Sequence, residues 1–192
     1  MNLSSPGILA FALAVAVGGH PMTSQATTPT TPAKPAPAAA YSGPFAAPSP
    51  LDLHYPQFDH IKDSDFAPAF DAGMAQQLRE IDAIANNPEA PSFQNTIVAM
   101  ERSGRVLDRA TSVFFNLVGT DKNPARAALE VEYAPKFAAH RDAIALNPRL
   151  FARIKTLYDA RASLGLDAID LRLLEKRYQD FVRAGAALGD AQ

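Results

Sequence analysis

The chain has 192 residues, 47% of them hydrophobic, and a formal net charge of −2, which suits one globular domain with its own core. Its 18 basic and 20 acidic side chains argue against a nucleic-acid-binding protein. Cysteine is absent, which excludes disulfides, thiol nucleophiles and thiolate-based zinc or iron–sulfur sites from these residues.

Residues 1–26 have the pattern of a secretory signal peptide. Residues 8–17 form a ten-residue apolar stretch, whereas a membrane-spanning helix needs about 20 residues. Ser24-Gln25-Ala26 fits a small-x-small cleavage site. We therefore expect a periplasmic or secreted protein without a stable membrane anchor. The alternative is a misassigned start codon with a chance apolar leader.

Residues 27–50 are rich in Thr, Pro and Ala and are predicted to be a disordered or extended linker. Proline fixes φ and removes a hydrogen-bond donor, so a regular helix or central strand is not expected at this proline density. Seven of these 24 positions are proline: Pro29, Pro32, Pro35, Pro37, Pro44, Pro48 and Pro50.

A first helix is predicted over residues 64–86, ending before Pro88. Its apolar side chains recur at steps of three and four residues, as on a helix with one buried face. They are Phe66, Phe70, Met74, Leu78, Ile81 and Ala85. A second helix is predicted from the N-cap Ser92 to a terminal Gly119. Gly104 falls within its apolar stripe, where we expect a close helix crossing.

Three further helices are predicted after residue 122. Asn123 and Asn147 each precede a proline, a combination typical of a helix start, and Asp167 is a suitable cap for the fifth helix. Pro135 is expected to bend the third helix, and Gly165 to end the fourth. The inward-facing residues are Leu129, Tyr133, Phe137, His140, Ile144, Leu150, Ile154, Leu157, Leu164, Leu174, Tyr178, Phe181, Gly185 and Leu188.

The predicted fold class is all-α, with about five amphipathic helices and short loops in a domain over residues 51–192. One short motif, Asp-Ala-Ile-Ala-x-Asn-Pro, occurs at 82–88 and again at 142–148. The residues that follow the two copies do not align, so we interpret the motif as a helix-ending device used twice.

Residue chemistry alone identifies no catalytic, cofactor-binding or metal-binding residue. The four histidines lack zincin spacing: His20, His54, His60 and His140. His54 and His60 lie beside Asp52 and Asp59 in a predicted loop, where solvated surface is a simpler interpretation than a metal site. His140 is interpreted as a hydrogen-bonded core histidine. Carboxylates beside arginines on the predicted helices are interpreted as solvated ion pairs.

Eight ordered segments together resemble the M3 family of zinc oligopeptidases, in its peptidyl-dipeptidase (Dcp) branch. The first is Phe-Asp-His-Ile-Lys-Asp-Ser-Asp-Phe-Ala-Pro-Ala-Phe at 58–70, and the set covers about residues 50–188. The others lie at 80–88, 93–104, 112–117, 147–153, 163–167, 172–175 and 181–185. They follow the family's order with nearly its spacing.

The resemblance implies an all-helical N-terminal part of one wall of a channel that admits short, unstructured peptides. Full-length members of the family hold one zinc ion with His-Glu-x-x-His and a downstream Glu, and the motif glutamate activates the zinc-bound water. Members of the Dcp branch remove dipeptides from peptide C-termini. Oligopeptides are therefore the expected substrates of a full-length enzyme.

The His-Glu-x-x-His motif does not occur in these 192 residues. No zinc ligand is carried over, no cofactor is expected in this chain, and we expect it to be inactive alone. We interpret the sequence as that of a truncated gene, a frameshift product or a fragment. Two alternatives stay open: a stand-alone periplasmic helical module that binds peptides or proteins, and a fragment that complements a separately encoded catalytic portion.

Overall fold

Helices account for most of the chain that the structure, a computed structural model, describes, namely residues 41–188. Within these residues no strand occurs, so the predicted all-α class is confirmed. Five helices are long, and α2 is a single short turn. Their bounds are α1 Phe66–Ala85, α2 Ala99–Arg102, α3 Arg105–Thr120, α4 Pro124–Ala145, α5 Pro148–Asp159 and α6 Ala168–Ala184.

Short helical turns connect the long helices. A wide π-type turn, Phe93–Val98, leads directly into α2, and Arg161–Ser163 forms a 3₁₀ turn after α5. Three more 3₁₀ turns precede α1, at Asp52–His54, Phe58–His60 and Asp63–Asp65. The signal peptide predicted at 1–26, and the linker as far as residue 40, lie outside the described residues.

The predicted N-caps are confirmed as side-chain caps. Ser92 Oγ accepts the backbone N–H of Asn95, and Asn123 and Asn147 cap α4 and α5 in the same way, each followed by proline. Asp167 Oδ1 accepts two backbone N–H groups at the start of α6. Each cap satisfies donors that the first turn of a helix leaves free.

The prediction of one continuous helix after Ser92 is wrong, because the chain breaks at Gly104. Helix α2 ends at Arg102, and Gly104 has a φ of 73°, in the left-handed region that glycine adopts without strain. A Cβ atom here would lie 2.4 Å from the side chain of Gln77. Gly104 therefore permits both a turn of the backbone and a close approach of α1.

Three glycines have other roles than those predicted. Gly119 lies inside α3, which ends one residue later at Thr120. Helix α5 ends at Asp159, before Gly165. The prediction that Gly185 and Leu188 continue the buried stripe of the last helix is wrong: Gly185 has a φ of 100° and is the C-cap of α6, and Leu188 is 65% exposed. The left-handed conformation there interrupts the helical hydrogen-bond pattern.

The N-terminal core is aromatic and lies between α1, α3 and α4. Phe70 is fully buried and its ring contacts four others, with centroid distances of 5.0 to 6.0 Å. The buried members of this core are Phe45, Phe66, Ala69, Phe70, Ala110, Val113, Phe114 and Tyr133.

The C-terminal core is mainly aliphatic and joins the second half of α1 to the π-type turn, α5 and α6. Its buried members are Ile81, Ile84, Ala85, Phe93, Ile97, Leu150, Phe151, Ile154, Leu157, Leu174 and Phe181. Helix α1 therefore contributes its first half to one core and its second half to the other.

Helices α1 and α3 cross closely at Gly73, which the sequence analysis did not identify. A Cβ atom on Gly73 would lie 2.7 Å from the backbone nitrogen of Leu107. Real Cβ contacts are longer, so any larger residue would push the two helices apart. At Gly73 the neighbouring atoms belong to the backbone of α3, whereas at Gly104 the close neighbour is the side chain of Gln77.

Residues 41–50, which composition places in the linker, pack against the helical domain. Phe45 is buried and its ring stacks on Phe66 at 5.5 Å. The guanidinium of Arg109 donates to the carbonyl oxygens of Phe45 and Ala46 at 2.7 to 2.9 Å. One aromatic side chain and one arginine therefore hold this extended segment in place.

Both copies of the Asp-Ala-Ile-Ala motif coincide with the last turn of a helix. Helix α1 ends at Ala85 and α4 ends at Ala145, which are equivalent positions of the motif. The next residues, Asn86 and Leu146, donate their N–H groups to the carbonyls four residues earlier.

Within residues 41–188, no helix is both long and apolar enough to cross a membrane.

Candidate functional site

A groove of about 720 Å³ is the candidate functional site. We call it the central groove, and it is bounded by residues of α2 and α3 on one side and of α4 and α6 on the other. Apolar side chains and charged side chains both line it. They include Met100, Leu107, Phe115, Phe137, Glu101, Arg105, Asp108, His140, Arg141 and Arg177. A volume of this size is typical of ligand-binding pockets.

A hydrogen-bonded network forms one wall of the central groove and ties α1 to α4. Nε2 of His140 lies 2.7 Å from Oε1 of Gln77. The amide nitrogen of Gln77 is 3.4 Å from Oγ of Ser103, whose hydroxyl donates to the carbonyl of Met100. The tautomer that satisfies this network carries its proton on Nε2 of His140. The predicted hydrogen-bonded core histidine is therefore found at this position.

Two carboxylates hold the break between α2 and α3. Glu80 accepts the backbone N–H of Gly104 at 2.7 Å, which satisfies a donor that the break would otherwise leave free. Glu101 accepts from Nε of Arg177 at 2.5 Å, with both side chains about one-third exposed. Side chains of α1, α2 and α6 thereby meet around the same turn.

Burial lowers the pKa of His140 below its usual value. The unfolded chain therefore takes up a proton near pH 6.5, whereas the folded chain does so only at lower pH. Stability is lost as the pH falls from about 6.5 toward the folded-state pKa. We expect the free energy of unfolding, measured in urea at pH 7.5 and 5.5, to decrease over this interval.

The matched variant for this pH dependence is His140→Gln, which keeps a hydrogen-bonding group beside Gln77 but does not titrate. We expect its stability to change less between pH 7.5 and 5.5 than that of the unmodified chain. An equal decrease in both proteins would assign the pH dependence to other groups.

The lining of the central groove offers both apolar and charged contacts to a ligand. Arg105 and Arg141 lie exposed at its rim, Phe115 is half-exposed, and Phe137 is partly buried below it. The hydroxyl of Ser103 is engaged with the Met100 carbonyl. Apolar surface beside guanidinium groups suits a peptide-like ligand with an acidic group.

The two histidines of the predicted loop, His54 and His60, contact residues close to them in the sequence. Nδ1 of His54 lies 2.9 Å from the carbonyl of Ser49, and His60 approaches Asp59 at 3.3 Å on the surface. Among residues 41–188, no three or more His, Cys, Asp or Glu side chains are grouped so that they could hold a metal ion.

Several arginines interpreted as solvated surface are structural. Arg126 bridges Asp63, before α1, and Asp121, after α3, at 2.7 and 2.9 Å. The hydrogen bond donated by Asn123 lowers the pKa of Asp63, and Arg126 adds to this effect. Asp63 lies 60 residues before Asn123 and 63 before Arg126, so helical periodicity carried no signal for these contacts.

Arg153 is a buried arginine that helical periodicity did not single out. It is 7% exposed, and its guanidinium donates to the carbonyls of Asn87 and Glu89 at 2.9 and 3.0 Å. It also donates to Asn95 Oδ1 at 2.9 Å and approaches Thr96 Oγ1 at 3.3 Å. Arg153 therefore fixes the loop between α1 and the π-type turn.

Two curated proteins are similar to this chain over most of its described length, while no protein-family model matches it. One is "Dipeptidyl carboxypeptidase" from Escherichia coli (strain K12), 44% identical over 148 residues, or 77% of this chain. The other is "Dipeptidyl carboxypeptidase" from Salmonella typhimurium, 43% identical over 149 residues, or 78% of this chain.

The match covers 22% of the length of each of these relatives. The resemblance to the peptidyl-dipeptidase branch of the M3 family is confirmed, and this chain is a relative of the dipeptidyl carboxypeptidases over about a fifth of their length.

Proposed function

We propose that this relative of the dipeptidyl carboxypeptidases is the N-terminal helical portion of an exported peptidyl-dipeptidase that hydrolyses short peptides. The observation that carries the proposal is 44% identity over 148 residues. In such an enzyme the helices would form part of the wall of the substrate channel. The all-α architecture and the mixed lining of the central groove fit this role.

The zinc ion of the family does not fit the residues present here. The sequence lacks His-Glu-x-x-His, and the part of the chain described by the structure has no suitable group of ligands. In the proposed enzyme, zinc and the general base would come from the portion of the polypeptide outside the match. The role left for these residues is to bind or confine the peptide.

A stand-alone peptide-binding or protein-binding module is the second candidate function. The central groove favours it, because apolar side chains and two exposed guanidinium groups meet in one concave surface.

The proposal that the protein is exported rests on the apolar leader at residues 8–17. Mass spectrometry of the mature chain tests it, and we expect cleavage near Ala26.

A chimera tests the proposed function. The matched segment of the E. coli relative is replaced by the corresponding residues of this chain, and release of dipeptides from short peptides is measured. We expect the chimera to retain activity within about tenfold of the E. coli enzyme. The 192-residue chain alone is expected to be inactive with and without added zinc.

The control is the E. coli enzyme with the matched segment deleted, which we expect to lose activity. A chimera that folds but does not release dipeptides would contradict the proposal. In that case, saturable binding of peptides by the 192-residue chain would support the stand-alone module.

A further inference from the structure

The loop at residues 51–58 contains a turn whose sequence does not suit its backbone. Leu53 and His54 both have positive φ, 55° and 57°. Backbone hydrogen bonds close the turn, from His54 N–H to Leu51 O at 2.9 Å and from Tyr55 N–H to Asp52 O at 3.1 Å. Two central residues with positive φ are typical of a type I′ turn, where Asn and Gly are strongly preferred.

No contact of the Leu53 side chain within the chain compensates for the strain of this backbone conformation. A leucine in the left-handed region is strained, because its Cβ approaches the following carbonyl oxygen. Such strain persists when the surroundings enforce it. Here, however, the Leu53 side chain is fully exposed at 101% of its reference area. Asn or Gly would form the turn with less strain and without exposing apolar surface.

Leu53 is the most exposed of four large apolar side chains in this loop. Leu51 and Tyr55 are also exposed, and the ring of Tyr55 packs edge-on against Phe58 at 5.7 Å. Four large apolar side chains therefore lie within eight residues of one surface loop. Several exposed large apolar side chains in one surface segment, unlike a single one, are a mark of interaction surfaces.

The loop is held at both ends. On its N-terminal side, Phe45 enters the N-terminal core and Arg109 binds the adjacent carbonyls. On its C-terminal side, Asp63 is bonded to Asn123 and Arg126 at 2.7 Å each. These contacts restrict the backbone on both sides of the loop, which lowers the entropy cost of binding.

We propose that the 51–58 loop is a docking element, with Leu53 as its central side chain, that inserts into an apolar pocket of the remaining polypeptide. This inference rests on the proposed function. We infer this binding partner from the length of the relatives, since nearly four-fifths of each relative lies outside the match. In the proposed enzyme, covalent linkage would give that portion a high effective concentration at this surface.

The test compares Leu53→Asp in two proteins, the 192-residue chain and the chimera with the E. coli relative. In the chain alone, Leu53 is exposed, so we expect the midpoint of thermal unfolding to change by less than about 1 °C. In the chimera, the charge would be buried against apolar surface, and we expect the midpoint to fall by about 3 °C or more.

Leu53→Asn is the matched variant, because asparagine tolerates the left-handed backbone but removes the apolar side chain. We expect it to leave the midpoint unchanged or raised in the chain alone and to lower it in the chimera.

A limited digestion with chymotrypsin is expected to cleave the loop near Leu53 and Tyr55 in the chain alone and to spare it in the chimera.

Equal effects of Leu53→Asp on the two proteins, or an effect on neither, would overturn the docking element. Dimerisation of the 192-residue chain that Leu53→Asp abolishes would also overturn it, since the occupant would then be a second copy. A stable but inactive chimera that Leu53→Asp destabilises would contradict the proposed function and support the docking element.

Discussion

Replacing Phe70 with alanine is expected to lower the free energy of unfolding by about 3–5 kcal/mol. The side chain is fully buried, and its ring contacts Phe66, Phe114, Tyr133 and Phe137. The substitution removes the ring and leaves a cavity between three helices that cannot all move inward. Urea denaturation followed by circular dichroism measures the change.

Phe115→Ala is the matched control for this loss. Phe115 is also an aromatic residue in contact with this cluster, through Phe114 and Phe137, but it is half-exposed. We expect a loss of about 1 kcal/mol, because less apolar area returns to water. Similar losses for Phe70→Ala and Phe115→Ala would show that the N-terminal core is not centred on Phe70.

The substitution Arg153→Met is expected to destabilise the chain by about 3 kcal/mol. Methionine retains an apolar side chain but has none of the hydrogen-bond donors of the guanidinium. The carbonyls of Asn87 and Glu89 then lose their partners beside the C-terminal core, and Asn95 loses one of its donors. The urea midpoint of the variant, compared with that of the unmodified chain, reports the loss.

Arg149→Met, one turn earlier on the same helix, is the control for Arg153→Met. Arg149 is exposed and donates to the side chain of Asn86. We expect its substitution to change stability by no more than about 0.5 kcal/mol. If the two variants were equally stable, the network around Arg153 would contribute nothing measurable.

Local signals in the sequence were sufficient to predict four N-caps, although not the break at Gly104 that divides the predicted second helix. Ser92, Asn123, Asn147 and Asp167 each lie where a capping side chain satisfies free N–H groups of the next turn. These contacts involve residues two or three positions apart, so the sequence around each cap contains all the relevant chemistry. The apolar stripes likewise predicted which face of each helix is buried.

Contacts between distant residues account for what the sequence did not predict. Gly104 fits a helical stripe by spacing, but the carboxylate of Glu80 and the side chain of Gln77 meet it from another helix and stabilise a break. Phe45 belongs to a proline-rich segment by composition, yet Arg109, 64 residues later, binds its carbonyl. Periodicity and composition describe neither kind of contact.

The central groove was also beyond the reach of the sequence analysis. His140 was correctly interpreted as a buried hydrogen-bonded residue, but its partner Gln77 lies 63 residues away on α1. The pair Arg177–Glu101 joins residues 76 positions apart. A concave surface arises only once such pairs fix the angles between helices, and those angles depend on the whole set of packed side chains.

The division of α1 between two cores has a consequence for cooperativity. Phe66 and Phe70 belong to the aromatic core, and Ile81 and Ile84 belong to the aliphatic one, with the Gly73 crossing between them. Neither core can melt without exposing half of the same helix. We therefore expect the two cores to unfold as one unit, and hydrogen exchange to show the amides of α1 among the slowest to exchange with solvent.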